Sequence, residues 1–184
     1  MKIEMSLKDV YRAMDTKRWQ IVKTARAQSV AEHSYMVAMI SMFIMEIMGI
    51  EDKSEVLRLA MCHDLSEVYT GDLATPLKRM GGETLKKVLS DFESRVYVAG
   101  ESIKSDNTMA KDIVKIADFI EALAFLSYNT MTPHGFKVFE TIRQKMHDYL
   151  ANCKTEGLRS AALLVEDEIL NGEETTLDDI MNET

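Results

Sequence analysis

Two cysteines, two prolines and eight glycines are few for a chain of 184 residues. Two Cys, Cys62 and Cys153, exclude a disulfide framework. So few chain breakers exclude collagen-like, Pro-rich and loop-dominated folds. No long membrane-spanning run is present. The most apolar stretch, Tyr35 to Ile50, is interrupted by Ser41 and Glu46 and is shorter than the ~20 residues a bilayer requires. No basic segment followed by an apolar run and a small-residue cleavage site opens the chain, so a cytoplasmic protein is expected, with no membrane partner. Excess positive charge is also lacking. Thirty acids face 22 bases, for a net charge of −8. Eight of those acids, and no Lys or Arg, lie between Glu166 and the C-terminus, which leaves residues 1–165 balanced at 22 of each. A grip on a nucleic-acid polymer needs a basic face, and the composition shows none. A small anion remains a possible ligand, because a few bases can converge in a pocket.

Hydrophobic residues make up 46%, enough for an ordinary core. Their spacing is helical nearly throughout. Ser29, with Glu32 three residues later and then Val37, Ile40, Ile44 and Ile47, reads as a capped helix that stops near Gly49. Further helices are expected over 7–14, 53–64, 83–98, 110–128, 133–150 and 158–170, with a polar loop around Gly71 and Pro76. No sustained period of two and no hairpin signal is found. The expected fold is all-α, a single-domain bundle of about seven helices over residues 1–171. An acidic, mobile tail is expected over 172–184.

Four residues carry the chemistry. His33 sits one turn inside the long apolar helix, His63-Asp64 ends another, and Asp118 lies among apolar neighbours in Ile116-Ala117-Asp118-Phe119-Ile120. A buried carboxylate costs several kcal/mol unless something pairs it. Taken singly, each has an ordinary explanation: a satisfied core histidine, or an aspartate paired with Arg or Lys. Taken together, two imidazoles and two carboxylates from three helices suit one borderline divalent cation with room for water.

The order His33, His63-Asp64, Asp118 resembles the metal signature of the HD-domain phosphohydrolase superfamily. The blocks Lys17-Arg18-Trp19, Ser29-Val30-Ala31-Glu32-His33-Ser34 and His63 to Lys78 are similar to the bacterial 5'-deoxynucleotidases of that superfamily and to small phage deoxynucleoside triphosphohydrolases, over roughly residues 12–125. The resemblance implies an HD-type helical bundle and one divalent transition metal (Co, Mn, Ni, Zn or Fe) held by His33, His63, Asp64 and Asp118. It further implies Glu67 as the catalytic acid or base. Asp72 would hold a sugar hydroxyl or order the site. Arg18 and Lys78 would meet phosphate oxygens, Trp19 would wall the sugar and base, and Thr70 would shape the loop with Gly71. A homodimer or higher homo-oligomer is implied as well, in the cytoplasm, or in the host cytoplasm if the chain is phage-encoded. Independent chemistry supports two of these roles. A bound divalent ion activates water and screens phosphate charge, and an Arg grips phosphate through two parallel hydrogen bonds.

The segment Phe119 to Leu126 shows no charge pattern assignable to substrate. His134 and His147 are the remaining histidines, and with Asp148 as their one adjacent carboxylate they favour a single metal. The leading expectation is a 5'-deoxynucleotidase that releases phosphate from deoxynucleoside 5'-monophosphates. A deoxynucleoside triphosphate (dATP-type) triphosphohydrolase releasing tripolyphosphate is the alternative, and a nucleotide-binding regulatory module without turnover is a third.

Overall fold

The computed structural model describes residues 1–176. Its helices are α1 (Leu7–Tyr11), α2 (Val30–Ile47), α3 (Ser54–Cys62), α4 (Glu67–Thr70, a single turn), α5 (Thr75–Glu93), α6 (Thr108–Asn129), α7 (Pro133–Asn152) and α8 (Leu158–Asn171). A 3-10 turn, Arg12–Met14, follows α1. The helical bundle read from the periodicity is the observed architecture.

Local signals start and stop the long helices. Ser29 caps α2: its side chain accepts the Glu32 N–H while the Glu32 carboxylate accepts the Ser29 N–H. Gly49, at φ +68°, ends that helix in the left-handed region open to glycine. Asn107 caps α6, and Thr132 with Pro133 starts α7. The core is where α2, α3, α6, α7 and α8 meet. Ile44, Met45, Ile113, Ile116, Ile120, Leu123, Met146 and Leu158 are fully enclosed there. Each such side chain contributes about 1.5–3 kcal/mol by leaving water. Among the described residues, α2 is the one helix long and apolar enough to cross a membrane. Half of its residues are buried in the protein, nine of its side chains among them, His33 included.

Two expectations needed correction. A small sheet is present: β1 (Ile3–Met5) pairs in parallel with β2 (Val96–Val98), which pairs antiparallel with β3 (Glu101–Ser102). Strands of two or three residues are too short to show alternation. Their hairpin turn is Ala99-Gly100, at φ +50° and +84°, instead of the Asn-Gly that flags such turns. The helix expected over 83–98 is instead α5, which starts at Thr75 inside the expected loop, bends at Gly82 (φ +52°) and stops at Glu93. Pro76 is in its first turn, where a missing N–H costs nothing. Val96, which continued the apolar spacing, is strand, buried with Met5, Val30, Leu65 and Val68 in a second, smaller core. After α8 ends at Asn171, residues 172–176 form no helix or strand. The remainder of the expected acidic tail, 177–184, lies outside the described residues.

Candidate active site

The four candidate ligands come from three helices that share the main core. His33 projects from the first turns of α2 and is completely buried. His63 caps the C-terminus of α3, and Asp64 is in the turn that follows. Asp118 is in the middle of α6. The structure brings all four together. Asp64 Oδ2 is 3.5 Å from both His33 Nε2 and His63 Nε2, and Asp118 Oδ1 is 3.4 Å from His33 Nε2.

Both imidazoles are oriented from behind. His63 Nδ1 donates to the Ala60 carbonyl at 2.7 Å, and His33 Nδ1 meets Glu121 Oε2 at 2.5 Å. A neutral imidazole that donates through Nδ1 can offer its Nε2 lone pair to a metal. Both Nε2 atoms are buried without a hydrogen-bond partner. Nitrogen and carboxylate oxygen atoms gathered this closely, with neither Nε2 hydrogen-bonded, are an arrangement that a cation among them would hold together. Donors about 2.1 Å from a tetrahedral ion lie about 3.4 Å apart, close to the three separations above; His33, His63 and Asp64 offer ligand atoms within 4.8 Å of one another, and Asp118 joins them through its approach to His33. The residues fit a divalent metal of the N/O-binding kind.

The charges around this point are strongly coupled. Burial and Arg18 push the His33 pKa down, but the carboxylates of Asp118 and Glu121, which face its two ring nitrogens, outweigh them and bring it to about 9 in the metal-free protein. Burial raises Asp118, yet Lys115, whose Nζ is 2.7 Å away, and His33 hold its carboxyl well below the usual range. Asp64 is likewise held low against its burial by His63 and Arg18. The Arg18 guanidinium donates to Asp64 Oδ2 at 2.6 Å, and its Nε is buried with no partner.

Glu67, Asp72 and Lys78 form a second group beside the first. The Glu67 N–H donates to the Asp64 carbonyl at 2.9 Å, a tight turn that keeps the chain coiling from α3 into α4. Gly71, at φ +70°, then ends α4 and turns the chain toward Asp72. Lys78, on the first turn of α5, reaches to 3.8 Å from Glu67 Oε1 and 3.9 Å from Asp72 Oδ1. Burial, then Asp64 and Asp72, push the Glu67 carboxyl up to about 8, against the pull of Arg18 and Lys78. Its Oε2 is buried and unpaired. Thr70 lines a narrow cavity with Glu67, Gly71 and Lys78, but its hydroxyl donates to the Gly71 carbonyl. That cavity shares Lys78, Leu89 and Glu93 with a larger one of about 570 Å³, which Arg79 and Lys86 also line.

Trp19 is at φ +62°, an uncommon conformation for a residue with a side chain. One face of its indole stacks on Phe125, with centroids 5.8 Å apart and planes within 6°, and its Nε1 donates to Gln28 Oε1 at 2.8 Å.

A family model described as "5'-deoxynucleotidase YfbR-like" matches residues 7–161. The chain belongs to this YfbR-like family of HD phosphohydrolases. The match extends beyond the residues 12–125 that carried the resemblance. A dATP triphosphohydrolase of Acinetobacter phage SH-Ab 15497 is 31% identical over 171 residues, covering 82% of each chain. The 5'-deoxynucleotidase YfbR of Escherichia coli O127:H6 is 37% identical over 75 residues, 38% of each chain. Among solved structures, the Cyanophage S-2L HD phosphohydrolase DatZ, bound to dA and one catalytic Zn2+ ion, superposes with a TM-score of 0.83 at 24% identity. That superposition covers 94% of this chain and all of DatZ, and it shows that the fold is shared.

Against this family background, three residues missed from the sequence stand out. Glu121 is buried behind His33, Gln28 is buried between Glu121 and Trp19, and Lys115 pairs with Asp118. Lys115, Asp118 and Glu121 recur every third residue and so share a face of α6. Of the three, Glu121 alone lies in the segment Phe119 to Leu126 read as patternless, so its spacing shows only when Lys115 and Asp118 are read with it. Nothing in the sequence distinguished Gln28. His134 and His147, on α7, are both solvent-exposed.

Proposed function

We propose that the chain hydrolyses deoxynucleoside 5'-monophosphates to deoxynucleoside and phosphate, with a divalent transition metal held by His33, His63, Asp64 and Asp118. The observation that carries the reading is the pair of buried, partnerless Nε2 atoms converging with two carboxylates, next to a carboxyl held near pKa 8. The ion supplies Lewis acidity and offsets phosphate charge when bound. The choice among Co, Mn, Ni, Zn and Fe stays open in the donor chemistry. The Zn2+ in DatZ supports zinc as the first to test.

The protein's own groups do the rest. Arg18, with an unused Nε, and Lys78 bind the phosphate oxygens. Glu67 moves the proton: water adds to phosphorus, the P–O5' bond breaks, and one proton passes from the water side to the departing 5'-oxygen. Asp72 holds Lys78 in place and receives a sugar hydroxyl. Trp19 walls the sugar and base, and Thr70 shapes the loop beside Glu67. Three cations (Arg18, Lys78, Lys115) and a divalent ion together offset the charge of Asp64, Asp72, Asp118 and Glu121, which lets a phosphate anion enter among the carboxylates.

One observation favours a second reading, dATP-type triphosphate hydrolysis. Arg79 and Lys86 line the cavity adjoining Lys78 and could receive the outer phosphates. The phage dATP triphosphohydrolase matched over most of its length supports the same reading. A product screen over deoxy- and ribonucleotides with each metal decides. Orthophosphate from monophosphates supports the first reading, and tripolyphosphate from dATP supports the second. No release from any nucleotide points to a regulatory module, a reading that the retained Glu67 and Arg18 speak against. We also propose a homo-oligomer in the cytoplasm, or in the host cytoplasm if the chain is phage-encoded. Tyr35, Phe43 and Ile47 of α2 are exposed apolar side chains suited to a second copy, and light scattering after gel filtration tests it.

A further inference from the structure

We infer that Gln28 and Glu121 are positioning residues that tie the Trp19 wall to the His33 imidazole, so that ion binding and the seating of the nucleoside are coupled. The inference rests on the reading of His33 as a metal ligand. Three hydrogen bonds run in series. Trp19 Nε1 donates to Gln28 Oε1 at 2.8 Å, Gln28 Nε2 donates to Glu121 Oε1 at 2.5 Å, and Glu121 Oε2 receives His33 Nδ1 at 2.5 Å.

The direction of every bond is fixed by chemistry. An indole N–H only donates, so the Gln28 amide must turn its oxygen toward Trp19 and its NH2 toward Glu121. The Glu121 carboxylate then accepts at both oxygens, and the hydrogen it receives from His33 must come from Nδ1. That leaves Nε2 as the His33 nitrogen that faces the cluster. Gln28 and Glu121 are 2% and 3% exposed, so water does not compete along the bridge.

The bridge also joins parts that are otherwise separate. Trp19 belongs to the loop before α2, His33 to α2, and Glu121 to α6. Gln28 anchors the loop twice, because its carbonyl accepts the Arg18 N–H at 2.9 Å while its side chain accepts the indole. Arg18 in turn donates to Asp64. The left-handed backbone at Trp19 persists because these contacts and the Phe125 stack over-determine it. A shift of His33 on binding an ion has a short, rigid route to the indole.

Trp19 is the single tryptophan, so its fluorescence reads this coupling directly. Zn2+ is titrated into chelator-treated full-length protein while emission is followed, and affinity and stoichiometry are measured by competition with a chromophoric chelator. The wild type should change its Trp19 emission on binding one Zn2+. Q28M, close in size but unable to hydrogen-bond, should bind Zn2+ within about threefold of wild type and lose the emission change. E121Q should bind Zn2+ about 10–100-fold more weakly, as expected when the partner behind a ligating His is altered. A second measurement needs no variant: saturating deoxynucleosides, which lack phosphate, should shift the wild-type Zn2+ affinity by several-fold, because coupling is reciprocal. An unchanged emission response in Q28M, or a flat wild-type emission across full Zn2+ occupancy, overturns the inference. Absence of any Zn2+ binding overturns it together with the reading of His33. Intact coupling without hydrolysis of any nucleotide supports the bridge and removes the enzymatic reading alone.

Discussion

Glu67→Gln separates the electrostatics of the site from its packing. In the metal-free protein the Glu67 carboxyl is pushed to about 8 by burial and by Asp64 and Asp72. In the unfolded chain it titrates near its ordinary 4.5. The folded state therefore keeps a proton that the unfolded state has already released. Stability contributed this way is fully present below pH 4.5 and is lost as pH rises toward 8, because the unfolded state binds fewer protons throughout that window. At ~1.4 kcal/mol per pKa unit the whole loss is on the order of 4–5 kcal/mol, of which about 2 kcal/mol falls between pH 5.5 and 7.5. The amide of the variant has no proton to lose. His33, at about 9 in the folded protein, adds a decline of the same sign in both proteins and cancels in the comparison. Urea unfolding of chelator-treated protein at the two pH values should show the wild type losing about 2 kcal/mol more than Glu67→Gln. Equal losses would refute the claim that burial and neighbouring carboxylates hold Glu67 protonated. The metal-loaded variant should retain its ion and lose about 10²–10⁴-fold in kcat.

The other predictions concern the ion, the sugar, the phosphates and the core. His63→Ala and Asp64→Ala should each abolish stoichiometric metal and turnover together, measured by elemental analysis beside a phosphate-release assay; full activity in metal-free variant protein would contradict the ligand set. Trp19→Ala should narrow the ratio of kcat/KM for deoxyribo- over ribonucleotides, and an unchanged ratio removes Trp19 from sugar selection. Arg79→Ala combined with Lys86→Ala should depress turnover of dATP much more than that of dAMP if the triphosphate reading holds, and both equally little if it does not. Ile120→Ala, at a fully enclosed position of α6, should cost about 2–5 kcal/mol in urea unfolding.

The helices were legible because each carries its own start signal and a wide apolar stripe. Ser29 with Glu32, Asn107 and Pro133 are local features, readable without tertiary context. The sheet was not legible, because its pairing joins Ile3 to Val96 across about half of the chain and its strands of two or three residues are too short to show a sustained alternation. The convergence of His33, His63, Asp64 and Asp118 could be guessed because charged groups inside apolar helices need a shared explanation. The layer behind them could not. Gln28 looks like any loop glutamine until Trp19 and Glu121 close on it from both sides. Glu121 hid in a segment whose apolar neighbours made it look incidental. The pairing of Lys78 with both Glu67 and Asp72 depends on α5 beginning at Thr75, which the polar composition of that stretch concealed.

The candidate ligands span 85 positions of chain between His33 and Asp118. An ion seated among them is in effect a removable cross-brace, tying α2, the end of α3 and α6 at the centre of the bundle. At a free concentration a thousandfold above its dissociation constant, such an ion adds about 4 kcal/mol to folding. Chelation would then soften the protein as well as silence it. On the proposed ligand set, heat resistance and turnover would draw on the same four side chains, so a substitution that expels the ion should damage both.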